Sequence, residues 1–76
     1  MTAKEKRYVK DCDLYFRLIS EQLKWIAEHG ASLAGYRANY DAPDDTERGT
    51  LIYQADVGEL LRLQEAFARI NQRHFT

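Results

Sequence analysis

The sequence predicts an all-α fold: an antiparallel pair of long helices, joined by a connector of about 25 residues that holds a short helix and an extended arm. Three observations predict it. Apolar residues recur in steps of three and four from Tyr8 to Ile26, and again from Leu60 to Ile70. Turn-forming residues cluster between these two stretches, in DAPDDTERG at 41–49. The alternating signature of a long strand is absent outside 36–40, so the competing class is α+β with a small β-hairpin in the connector.

The first helix begins within Thr2 to Tyr8, where Thr2 and Glu5 have the spacing of a capping box. At about 100° per residue, one broad apolar face carries Tyr8, Val9, Cys12, Tyr15, Phe16, Ile19, Leu23 and Ile26. A second, narrower stripe carries Leu14, Leu18 and Trp25. Lys10, Asp13, Arg17, Ser20, Glu21, Lys24 and Glu28 fill the polar sector, only about a third of the circumference. His29 and Gly30 are placed to close the helix, a histidine suiting the dipole and a glycine the left-handed cap.

In ASLAGYRANY, 31–40, Ser32 is a suitable N-cap for a short helix with Leu33, Tyr36 and Tyr40 on one side. The alternation of Tyr36, Ala38 and Tyr40 with Arg37 and Asn39 is the hairpin alternative. Residues 41–49 read as a loop, and TLIYQA at 50–55 as an arm laying Leu51, Ile52 and Tyr53 over the helices. Asp56 and Glu59 have N-cap spacing for the last helix. Its core stripe is Leu60, Leu63, Phe67, Ile70 and His74, and Glu65 with Arg69 is a favourable i,i+4 pair.

A chain of 76 residues forms one domain, 1–76. At that size a folded chain hides only about 60% of its extended surface and is marginally stable alone. Association is a common remedy. Cys12 is the single cysteine, so no intrachain disulfide forms, and a reducing compartment fits. No signal-peptide pattern and no apolar run of ~20 residues is present, which favours a cytoplasmic protein without a membrane partner. A net charge of −1 gives no overall pull toward nucleic acid or anionic lipid.

Catalytic groupings are not evident. The two histidines, His29 and His74, end different helices, and neither has a nucleophile and an orienting group in an obvious pattern. One cysteine and two distant histidines do not make a zinc site. Asp41, Asp44, Asp45 and Glu47 lack the spacing of a calcium loop. Gly30, Gly35, Gly49 and Gly58 do not form a phosphate-cradling motif. The expectation is therefore a non-enzyme with no catalytic residues, no metal and no cofactor.

The function expected is that of an accessory or regulatory interaction protein. It would form a homodimer, or dock on a larger protein, through the apolar surface of its first helix. Leu14, Leu18 and Trp25 are the expected contact residues, with Tyr36 and Tyr40 as a secondary patch. The alternative is a small DNA-binding regulator. Segment 25–40 has a helix-turn-helix rhythm, with Lys24 for phosphate and Arg37 and Asn39 as base readers. Elsewhere the basic residues are interleaved with acidic ones, the pattern of a solvated face.

Overall fold

The computed structural model describes residues 1–38 and 43–76, with the side chains of 36–38 and 43–45 left aside. Two helices account for nearly all of it: α1, Ala3–Ala38, and α2, Pro43–Phe75, packed against each other as an antiparallel hairpin. The molecule is a rod of 59 × 16 × 11 Å. A helix of 36 residues at about 1.5 Å per residue accounts for that length. Among the described residues there is no strand, and no helix is long and apolar enough to cross a membrane.

The start of α1 follows its sequence. The Glu5 amide donates to Thr2 Oγ1 at 3.1 Å, and the Thr2 hydroxyl donates to Glu5 Oε1 at 3.1 Å. Two groups at the helix entrance thus satisfy each other.

The connector is where sequence and structure part. α1 does not close at His29 and Gly30, but continues to Ala38. Gly30 serves close packing instead: a Cβ there would lie 3.2 Å from the Tyr53 ring, so its absence lets the ring approach the backbone. Ser32 is no N-cap, since its hydroxyl donates to the Glu28 carbonyl within the helix. The expected loop is already helical from Pro43, the first position of α2, where proline's missing N–H costs nothing. The expected arm at 50–55 is also helical, and Thr50 satisfies its hydroxyl on the Thr46 carbonyl at 2.8 Å. Asp56, expected as an N-cap, sits in mid-helix. The small hairpin alternative is excluded for 36–38 and 43–55, which are helical; Asn39, Tyr40 and Asp41 lie outside the described residues.

A seven-residue repeat explains the continuity. Less exposed positions in α1 recur in alternate steps of four and three: Tyr8, Cys12, Tyr15, Ile19, Gln22, Ile26, His29 and Leu33. In α2 they are Thr46, Gly49, Tyr53, Asp56, Leu60, Leu63, Phe67, Ile70 and His74. This is the spacing of a coiled-coil seam. Tyr8 stacks on His74, with ring centres 3.9 Å apart, and Tyr15 on Phe67 at 5.6 Å. One heptad forward in α1 is therefore one heptad back in α2.

Gly35 lies in regular helix, and a methyl group added there would meet no atom within 4 Å. Gly35→Ala is therefore expected to stabilise the hairpin by about 0.5–1 kcal/mol, several degrees in melting temperature. A thermal melt followed by helical circular dichroism checks this; an unchanged or lowered midpoint would contradict it.

Candidate interaction surfaces

The seam leaves each helix with two flanks. On α1, Val9, Phe16 and Leu23 follow successive seam residues along one side, and Asp11, Leu18 and Trp25 precede seam residues along the other. On α2 the corresponding sets are Thr50, Val57, Gln64 and Asn71, and Ile52, Glu59, Ala66 and Arg73. Antiparallel packing brings like flanks to the same side of the rod. Tyr8 donates its hydroxyl to Asn71 Oδ1 on the first flank. Asp11 and Arg73 line one cleft on the second.

The first flank is apolar and open. Phe16 is 58% exposed, Leu23 50% and, on the adjoining column of α2, Leu61 54%. The Phe16 ring meets Phe67 edge-on at 5.5 Å, so the seam fixes it without covering it. Take this flank with the column beside it, from Phe16 to Ala34 on α1 and from Thr50 to Phe75 on α2. Its positions hold Ser20, Ala27, Gly30, Gln54, Gln64, Ala68 and Asn71 among the apolar residues, and no ionisable side chain. Val9, Phe16 and Leu23 were expected in the core. They lie beside the seam instead, because Gln22 and His29 occupy the seam positions that an apolar residue would otherwise mark.

The second flank carries the residues expected to make contacts, in different surroundings. Leu14 is exposed and Leu18 half-buried. Trp25 is 52% exposed, shares a shallow groove with Glu21, Lys24 and Glu28, and stacks on His29 at 5.5 Å. Lys24 is exposed on the same helix. The Tyr36 and Arg37 side chains, and Asn39 and Tyr40 entirely, lie outside the described residues. The helix-turn-helix rhythm of 25–40 has no turn at Gly30, since 25–38 is uninterrupted helix. Arg62 pairs with Glu59 at 2.8 Å and Arg69 with Glu65 at 3.8 Å, exposed pairs worth a few tenths of a kcal/mol each.

Between the flanks, the middle of the seam is polar. The His29 Nδ1–H donates to the Asp56 carboxylate, and Gln22 Nε2 donates to the Asp56 carbonyl at 2.9 Å. The spacing of heptads in the sequence does not mark these residues as partners, because His29 reads as the end of a helix, Asp56 as a cap, and Gln22 as no part of the apolar stripe. Such a cluster has a preferred register, since a slip of one heptad would part its hydrogen bonds. His29 and His74 do not meet: His74 stacks on Tyr8 near the far end of the rod. There, hydrogen bonding with Cys12, then burial, pushes the Tyr8 phenol above its ordinary range.

No family model, curated protein or solved structure matches the chain.

Proposed function

We propose that the protein is a non-enzymatic, self-associating helical hairpin. Two copies pack their first flanks together, Phe16 and Leu23 of α1 with Val57 and Leu61 of α2, into a four-helix bundle. The observation that carries this reading is the uncharged, apolar flank itself. A charge-free surface can meet its own copy about a two-fold axis without setting like charges against each other.

The surface area supports the same reading. A folded monomer of 8.9 kDa is expected to expose about 4,800 Å². This chain exposes 5955 Å². The surplus, roughly 1,100 Å², is on the scale of what one partner buries in a stable interface, about 800 Å² or more. Among the described residues only Leu33, at 8%, is a buried hydrophobic side chain. The hairpin thus resembles one half of a bundle core. An exposed phenylalanine, a residue type enriched at protein contacts, occupies the flank with two exposed leucines, among glutamine, serine and asparagine.

The test is the mass in solution by light scattering at low and high salt, with melting measured over a hundredfold range of concentration. Twice the chain mass at both salts, and a melting temperature that climbs with concentration, are expected. A chain-mass particle whose melting is independent of concentration would overturn the reading.

A further inference from the structure

A second feature lies away from the proposed dimer face. Near the open end of the rod, the start of α1 and the end of α2 enclose a cleft of about 420 Å³, lined by Lys4, Arg7, Asp11, Arg73, Tyr8 and His74, with Ile70 beneath. Lys4, Arg7 and Arg73 give it three permanent cations against the one carboxylate of Asp11, in a chain whose net charge is −1.

Two other arginines of α2, Arg62 and Arg69, are each paired with a carboxylate. Lys4, Arg7 and Arg73 make no ion pair among the described residues, although Arg7 and Asp11 share the cleft at i,i+4 spacing. Gathering unpaired like charges around one concavity raises its positive potential and draws in anions. Two guanidinium forks and an ammonium suit a group with several oxygens and more than one negative charge, which is the chemistry of phosphate. The imidazole of His74, held flat against Tyr8, adds a further donor when protonated. The cleft's volume falls in the range that admits a small metabolite, about 300–1,000 Å³.

We propose that this cleft binds a phosphate-bearing small molecule, with Arg7, Arg73 and Lys4 on the phosphate oxygens and Asp11 at the rim. The aspartate repels additional negative charge and accepts a hydrogen bond from a hydroxyl on the body of the ligand.

The two histidines make the test internal to the molecule. Inorganic pyrophosphate is titrated into the full chain at constant pH and ionic strength, and the ring C–H resonances of both histidines are followed by proton NMR, assigned with a His29→Gln variant. His74 is expected to move and saturate with a dissociation constant of about 1 mM or tighter, while His29 stays in place. Arg7→Gln combined with Arg73→Gln weakens binding at least about tenfold, the loss of charge-assisted hydrogen bonds. Asp11→Asn tightens it about threefold by removing the repelling charge. All three side chains line the cleft, and circular dichroism verifies that the variants remain helical. Histidine shifts that are equal and linear would overturn the proposal. So would a double variant that binds as well as the parent, or weakened binding in Asp11→Asn. A single-stranded oligonucleotide that shifts His74 where pyrophosphate does not would also overturn it, in favour of a nucleic-acid surface.

Discussion

Replacing Phe16 and Leu23 together by glutamate is expected to convert the proposed dimer to a monomer. Each of these side chains stands half or more exposed on the hairpin and would be covered in the bundle. Burial of a large apolar side chain is worth about 1.5–3 kcal/mol, and a carboxylate in its place is left desolvated without a partner. A combined loss of about 3 kcal/mol or more raises the dissociation constant over a hundredfold. Light scattering on the variant should give the chain mass at concentrations where the parent is dimeric. Within each hairpin both positions lie beside the seam and not in it, and Phe16 meets the partner helix only through its edge-on contact with Phe67, so helical circular dichroism should persist at low temperature. Trp25→Ala with Leu18→Ser is the control on the opposite flank. If that pair dissociates the dimer and the glutamate pair does not, the contact belongs to the second flank.

Phe67→Ala is expected to be the most damaging single change within the hairpin. Phe67 stacks on Tyr15 at 5.6 Å and receives Phe16 edge-on at 5.5 Å, so one ring ties together the seam and the first flank. Truncating a fully buried phenylalanine costs about 3–5 kcal/mol. Phe67 is half-buried, which lowers the expected loss to about 2–3 kcal/mol. A domain of this size has roughly 4–11 kcal/mol in total. The midpoint of urea unfolding should therefore fall sharply with little change in slope. A shift worth under about 1 kcal/mol would mean that the aromatic cluster contributes little to the fold.

The two-helix architecture was legible in the spacing of Tyr8, Cys12, Tyr15 and Ile19 and of Leu60, Leu63, Phe67 and Ile70, and the Thr2 cap in its local pattern. The uninterrupted length of the helices was not. Gly30 carries the signature of a helix end, and only the position of the Tyr53 ring shows what it does. Pro43 and the aspartates after it look like a loop from either side, yet a proline at the first position of a helix belongs to that helix. TLIYQA has the composition of a strand, and the heptad of Thr46, Gly49, Tyr53 and Asp56 overrides it. Angle explains the exchange of faces on α1. At 100° per residue a straight helix drifts about 20° per heptad from the seam its partner sees. Val9, Phe16 and Leu23, spaced by seven, then merge with the core stripe when they belong to its edge. Gln22, His29 and Asp56 were hidden for a different reason: their partnership is between helices, and no local pattern encodes it.

The rod shape fixes how assembly would look in a scattering experiment. The Cα radius of gyration is 17.3 Å, where a compact chain of this length has about 11 Å. It is the value of a compact chain roughly three times as long, so on a sizing column a monomer would run ahead of its mass and imitate an oligomer. Two rods laid side by side, with axes about 10 Å apart, add almost nothing to the longest dimension. Small-angle X-ray scattering of such a pair would show forward intensity doubling while the radius grows by about 1 Å. Rods 59 Å long joined end to end would double the intensity too, but their radius would nearly double. The ratio of those two changes distinguishes lateral from axial assembly without any variant.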